Sequence, residues 1–390
     1  MNNKYINLNE YGSLLYDDKE IKYTENVIKQ RRIFRYSRTE YPYVTLCEEK
    51  IKNIINTKYA LCTTNGTSGL KTALVGVGVN KGDRVLISSY TFLATALAVI
   101  ALGAIPIPIE VDLKEGLDLD DLNSEIKKGC KAVILVHFQG RAFNISEIKK
   151  ITKEKNIALI EDACQAFGAS YKGKYAGAMG DIGVYSFQQF KQVSSGEGGC
   201  VVTNNEKYYD RMRNYTDMGS IRDRFPSWNS KDALFGENER MNNLVGAVLF
   251  AQLEKLNKMI NKQKKSRENI MNLIEKYNIK DIIESSDPNG DTSMNILLKL
   301  RGIKEKEQAI ELAKEKNIEL RNMWSSLYYN NDLFIRNSLD SIKLKNKDCT
   351  KSLDLINKMV VMSIPPILKK KDEKELANLI ISLKDNDFLE

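Results

Sequence analysis

IALIEDACQAFGASYKGKYAGAMGDIGVYSFQQFKQVSSGEGGCVVTN, residues 157–204, opens on a short apolar run that stops at two carboxylates, Glu161 and Asp162. A continuous apolar run of that length is what a strand covered on both faces looks like, as in a parallel sheet flanked by helices. Two further strand-like runs follow close together, GVYSF (183–187) and GCVVTN (199–204), with the Gly-rich turn SSGEGG between them. Toward the N-terminus the same pattern recurs. KYALCTT (58–64), RVLISS (84–89), IPIPIEV (105–111) and AVILVHF (132–138) alternate with helix-like stretches that begin near Ser68 and at TFLATALAVIALG, DLNSEIKKG and ISEIKKITKEK. Repeated strand–helix units predict an α/β domain whose large, mostly parallel sheet has helices on both faces. Residues 1–45 are mixed and polar and show no core pattern.

Toward the C-terminus the pattern changes. A helix, NEKYYDRMRNY, is followed by one long amphipathic helix over 244–277. TSMNILLKLRG then reads as a strand, KEKEQAIELAKEKNI as a helix and DEKELANLIISLK as the final helix. The domain boundary falls in the long helix. Residues 1–255 form an N-terminal segment with the large domain, and 256–390 form a smaller α+β domain.

The chain has 390 residues, and 42% of them are hydrophobic, enough for a core of ordinary size. No run is long and apolar enough to span a bilayer. The start, MNNKYINLNEYGS, lacks the basic-then-apolar layout of a signal peptide, so a cytoplasmic location is expected. The net charge of +8 comes largely from lysines spread along stretches such as KLNKMINKQKKSREN, the signature of solvated helix faces. No basic patch interleaves with stacking aromatics in a known module, so no nucleic-acid partner is expected. A single histidine, His137, and six cysteines without a CxxC pair give no metal site. His137 ends an apolar run and reads as a structural or pocket-wall residue.

Four elements carry chemistry. Ligands of open α/β sheets bind beyond the carboxyl ends of the strands, which is where Asp162 stands. There it can serve as a turn or cap residue, or as the carboxylate that keeps the pyridine nitrogen of pyridoxal phosphate protonated. Lys191 follows 29 positions later, after the apolar YSFQQF and before the Gly-rich turn. That setting suits either a surface lysine or an amine desolvated for Schiff-base chemistry. TTNGTSGLKTALVG (63–76) places glycines and hydroxyls at the start of an apolar helix, which caps the helix or receives a phosphate there. Thr67, Ser68 and Ser186 are the hydroxyls that could donate. Tyr90-Thr91-Phe92, after RVLISS, offers an aromatic either to the core or to a planar ring. No GxGxxG turn opens a helix after a strand, which excludes a dinucleotide site.

Taken together and in order, these pieces resemble the DegT–DnrJ–StrS type of sugar aminotransferases. The matching stretches include NGTSGL, GDRVLISSYTFLATA, EDACQAFGASYKGK, GDIGVYSFQQFK, GEGGCVVTNN and GENERMNNLVGAVLFAQLEKL, within roughly residues 59–255. The resemblance implies the type I fold of pyridoxal-phosphate-dependent transferases and a ping-pong reaction. Glutamate or glutamine donates the amine, and a keto-sugar, sugar-aldehyde or cyclitol ketone accepts it. By the same resemblance Lys191 forms the Schiff base and moves the proton, Asp162 pairs with the pyridine nitrogen, Gln165 meets the ring hydroxyl and Phe92 stacks on the ring. Gly66, Thr67, Ser68 and Ser186 surround the phosphate. Asn238 reaches the phosphate of a neighbouring subunit in a homodimer with shared sites, and Arg240 meets a substrate anion. The resemblance leaves two other functions open: a pyridoxamine-phosphate-dependent sugar dehydratase, whose known examples replace the lysine with His, and a non-catalytic cofactor-binding regulator. SFQ before the lysine, with Gln188, and Met218 in TDMGS depart from many nucleotide-sugar members. SFQ is similar to the branch acting on cyclitol ketones, 3-amino-5-hydroxybenzoate precursors or octulosonic-acid-type sugars. NMWSSLYYNNDLF (322–334) is expected to shape the acceptor pocket.

Overall fold

A computed structural model describes residues 10–219, 233–322 and 347–389. One helix, α1 (Asp18–Gln30), lies within the segment that shows no core pattern, and a second, α2 (Tyr43–Ile55), starts at its end. Asp17 and Glu20 form a reciprocal capping box at the start of α1, a signal carried by D-x-x-E in the sequence. The predicted alternation then appears as β1 (Tyr59–Thr63), α3 (Gly66–Gly76), β2 (Arg84–Ser88), α4 (Leu93–Ala101), β3 (Ile105–Ile109), α5 (Leu119–Ile126), β4 (Ala132–Val136), α6 (Ser146–Glu154) and β5 (Ala158–Asp162). A small hairpin, β6 (Ser170–Tyr171) and β7 (Lys174–Tyr175), leads to β8 (Ile182–Ser186), β9 (Gly199–Thr203) and α7 (Glu206–Thr216).

The large sheet has the strand order β1-β9-β8-β5-β4-β2-β3. β9 runs against both of its neighbours, and every other pairing is parallel. Successive residues of the central strands enter opposite cores. Val133 and Leu135 of β4 join α2, α5 and α6 on one face, while Ala132 and Ile134 join α3, α4 and α7 on the other. This two-sided burial is why those strands read as unbroken apolar runs.

The long helix predicted over 244–277 is two helices, α8 (Asn243–Leu253) and α9 (Leu256–Ile274). No Gly or Pro marks the break. Lys255 sits there, its ammonium buried against the carboxylates of Glu20 and Asp17 and the carbonyl of Leu15, so the chain is held at that point by the need to satisfy one buried charge. α8 packs on α1 and α2.

Beyond α9 come β10 (Ile282–Ile283), β11 (Asn295–Lys299), α10 (Ile303–Glu315), β12 (Leu320–Arg321), α11 (Thr350–Lys358), β13 (Met359–Ser363) and α12 (Lys370–Asp385). The four strands form an antiparallel sheet in the order β10-β11-β13-β12. One face of it packs on α9, α10 and α12. On the other, Leu297 and Val361 enter the core of the large sheet, so the two sheets share apolar contact. No helix among the described residues is long and apolar enough to cross a membrane.

Candidate active site

Because all of its strands except β9 run the same way, the large sheet delivers their ends to one edge. There a cavity of about 830 Å³ opens, against the antiparallel sheet. Phe92 and Thr95 follow β2, Gln139 follows β4, Asp162 ends β5 and Ser186 ends β8. Gly66, Thr67 and Ser68 enter from the first turn of α3, and Gln165, Gln188 and Lys191 complete that side.

Asp162 is buried. Its Oδ2 accepts from the Thr95 hydroxyl at 2.9 Å and its Oδ1 from the backbone N–H of Cys164 at 3.2 Å. It has no cationic partner among the described residues. A buried carboxylate held only by neutral donors is costly unless a positive charge joins it. The Cys164 thiol beside it is pushed well above the ordinary thiol range, by burial first and by the Asp162 charge second. Lys191 lies half-buried on the same cavity, and its amine has no hydrogen bond or ion pair among the described residues. Its main chain is fixed on both sides. Lys191 N–H donates to Gln188 O at 2.9 Å, and Gly12 N–H, from the N-terminal segment, donates to Lys191 O at 3.2 Å.

The start of α3 is an anion receptor by construction. Asn65 caps Ser68 N at 2.8 Å, which leaves the N–H groups of Gly66 and Thr67 without acceptors among the described residues, at the positive end of the helix. Gly66 is required there. A Cβ on it would lie 2.8 Å from the Cβ of Ser186, so only glycine lets this turn meet the end of β8. The Ser186 oxygen accepts from Gln188 N at 3.4 Å, and its proton stays available. Ser68 differs: its hydroxyl donates to Glu239 at 2.6 Å, a carboxylate that also takes the Thr64 hydroxyl at 2.7 Å and pairs with Lys71 at 3.1 Å.

Phe92 is 57% exposed and faces the cavity, whereas Tyr90 is core, edge-on to Phe138. The residues present therefore fit a planar, phosphorylated, cationic heterocycle: an exposed aromatic face, free N–H donors and a carboxylate lacking a cation. His137 stands apart. Fully buried, it accepts Phe143 N–H on Nδ1 at 3.1 Å and gives Nε2–H to Glu161 at 2.8 Å. Glu161 is in turn held by the N–H groups of Gly177, Met179 and Gly180. This is a structural buttress one residue before Asp162.

Two expected site residues lie outside the cavity of their own chain. Asn238 is exposed, and Arg240 pairs with Asp217 and lies 5.7 Å over the ring of Phe34. The stretch 323–334, expected to shape the acceptor pocket, lies outside the described residues. The sequence reading missed Tyr11, Gln139, Asn295 and Arg321, all of which line the cavity. Asn295 alone left a trace, as a polar residue inside the apolar run of TSMNILLKL.

The DegT/DnrJ/EryC1/StrS aminotransferase family matches residues 16–380. The GDP-perosamine synthase of Escherichia coli O157:H7 is 31% identical over 72% of this chain and 75% of that protein. The 3-amino-5-hydroxybenzoate synthase of Amycolatopsis mediterranei is 30% identical over 63% of this chain and 62% of that protein. Among solved structures, an aminotransferase from Psychrobacter cryohalolentis superposes with a TM-score of 0.85 at 22% identity, covering 95% of this chain and 98% of that one. The chain belongs to the DegT/DnrJ/EryC1/StrS aminotransferase family. It has the type I fold and is a pyridoxal-phosphate-dependent transaminase.

Proposed function

We propose that this family member moves an amino group from glutamate or glutamine to a keto-sugar, sugar aldehyde or cyclitol ketone, in amino-sugar or related biosynthesis. The observation that carries this reading is an amine and a carboxylate, Lys191 and Asp162, both without an ionic partner among the described residues, on one cavity whose other walls suit a phosphate and a flat ring. Pyridoxal phosphate, when bound, supplies an electron sink for the carbon that exchanges its amine. Asp162 holds a proton on the ring nitrogen. Lys191 holds the cofactor covalently between turnovers, and during them carries a proton between substrate and cofactor carbons from its Nζ. Phe92 orients the ring from one face. Gly66, Thr67 and Ser186 bind the phosphate, Gln165 meets the ring oxygen, and Gln188 lies toward the substrate.

In this reading the chain works as a homodimer in the cytoplasm, with the large unit at 1–255 and the small one at 256–390. Asn238 and Arg240 act in the partner's cavity, Asn238 on the phosphate and Arg240 on a substrate anion. What supports this is that both lie outside the cavity of their own chain: Asn238 is exposed, and Arg240, paired with Asp217, lies over the ring of Phe34, which is 46% exposed. The acceptor belongs to the range spanned by the relatives, from a GDP-sugar to a carbocyclic ketone.

An absorption spectrum tests the reading. Purified protein carrying pyridoxal phosphate should show a visible band that Lys191→Ala abolishes. Either glutamate or glutamine should bleach that band to the pyridoxamine form. A loaded wild-type protein that neither donor converts would sink the proposal.

A further inference from the structure

Behind Gln165 runs a chain of side-chain hydrogen bonds that crosses from the large sheet to the small one. Arg321 Nη2 lies 3.0 Å from Asn295 Oδ1, 2.6 Å from Ser363 Oγ and 3.2 Å from the Tyr11 hydroxyl. Asn295 Nδ2 donates to Gln139 Oε1 at 2.7 Å, and Gln139 Nε2 donates to Gln165 Oε1 at 3.3 Å. Three carboxamides stand in a row. An isolated carboxamide can turn either end to its neighbour, so a row of them has two opposite directions, and something must select one.

Arg321 supplies that selection. A guanidinium only donates. The Asn295 atom facing it is therefore the oxygen, and the Tyr11 hydroxyl at 2.8 Å gives its proton to the same atom. Reversing Asn295 would set N–H against N–H. Its amide nitrogen consequently faces Gln139, which must present its oxygen there and its nitrogen to Gln165. Gln165 spends its oxygen on that bond. Its N–H2 group remains, without a partner among the described residues, on the cavity wall. Arg321 has no carboxylate partner among the described residues that could draw it out of this arrangement.

We infer that Arg321 fixes the direction of this amide relay, so that Gln165 turns a donor and not an acceptor toward the ring oxygen of the bound cofactor. Gln139, Asn295 and Arg321 are thus positioning residues that act through Gln165. The inference rests on the cavity being the cofactor site. A donor at the ring oxygen stabilises that oxygen most when it is a bare anion, after the lysine-linked nitrogen has lost its own proton. It therefore lowers the pH at which that nitrogen deprotonates, and an acceptor in its place raises it.

Asn295→Asp reverses the relay with almost no change of shape. The new carboxylate still accepts from Arg321 and Tyr11 but offers nothing to Gln139. Gln139 then turns its N–H2 to the carboxylate and its oxygen to Gln165, which leaves the Gln165 oxygen facing the cavity. Gln139→Glu breaks the relay one link nearer and serves if the first variant folds poorly. The visible absorption of the Lys191-linked cofactor is titrated against pH in the full-length protein. For either variant the midpoint should rise by about one pH unit or more. Gln165→Met should raise it too, and in that background Asn295→Asp should add less than about a third of a unit. An unmoved midpoint would overturn the inference. So would an equal shift with and without Gln165, since that is the field of a new charge acting directly. A wild-type protein with no Lys191-dependent band would overturn the functional reading itself.

Discussion

The two sheets reach the same cavity by different routes. In the large sheet the parallel strands all point one way, so their ends collect at one edge, and Asp162 and Ser186 stand there by topology alone. The small sheet is antiparallel and collects nothing by direction. It contributes through register: Asn295 opens β11, Ser363 closes β13, and the two are direct cross-strand partners. Arg321 ends β12, paired with Val361 of β13. The large sheet presents groups with no ionic partner among the described residues, ready for a ligand, while the small sheet presents side chains already tied to one another. Chemistry and bracing are thus divided between the sheets, and each can be disturbed separately.

The sharpest break should come from the large sheet. Lys191→Ala should lower kcat by about 10⁴-fold or more, because covalent attachment and proton transfer are lost together, with thermal unfolding little changed. Asp162→Asn should cost about 10²–10⁴-fold in kcat, read alongside the visible spectrum, since the ring nitrogen loses its charge partner. A mixing experiment comes next. Lys191→Ala and Asn238→Ala chains, each inactive or weak alone, should on subunit exchange regain about a quarter of wild-type activity, because half of the dimers are mixed and each has one whole site. No recovery would show that Asn238 does not act across subunits. A smaller contrast separates two serines of the phosphate cup. Ser186→Ala should weaken cofactor binding by about fivefold, roughly 1 kcal/mol, whereas Ser68→Ala should weaken it less, because the Ser68 hydroxyl is engaged by Glu239. Equilibrium dialysis of pyridoxal phosphate against both variants decides it.

The smallest effect should come from the small sheet's side and touch stability alone. Lys306, on α10, is buried with its ammonium 2.5 Å from the Ile356 carbonyl, and burial lowers it from 10.5 to about 8. Between those values the unfolded chain holds a proton that the folded one has released. Stability should therefore rise as pH climbs from about 8 to 10.5, and fall as pH drops back through that window. Lys306→Met should flatten this rise and add about 1 kcal/mol of stability at pH 7, with kcat unchanged, as read by denaturant unfolding.

The division between the sheets also decides what the sequence disclosed. The large sheet was legible because each strand is an apolar run that stops abruptly at a polar residue. Asp162, Lys191, Phe92 and the GTSG turn could be placed from those stops, whereas Gln165 came only with the family resemblance. The brace was not legible. Tyr11 meets Asn295 across 284 positions, through a register that no local pattern encodes. The break at Lys255 was hidden for a similar reason, since the carboxylates that hold it lie in α1. Glu239 was overlooked because its partners, Thr64 and Ser68, lie 175 and 171 positions upstream.

The Tyr11 and Ser363 hydroxyl oxygens, 352 positions apart in the chain, lie 3.0 Å from each other. On the ribosome the first of these residues emerges long before the second. The large sheet can collapse while synthesis continues, but the relay behind Gln165 waits for Ser363 of β13. β13 follows every other described strand in the chain, so the network behind Gln165 is completed by the strand that comes latest among them.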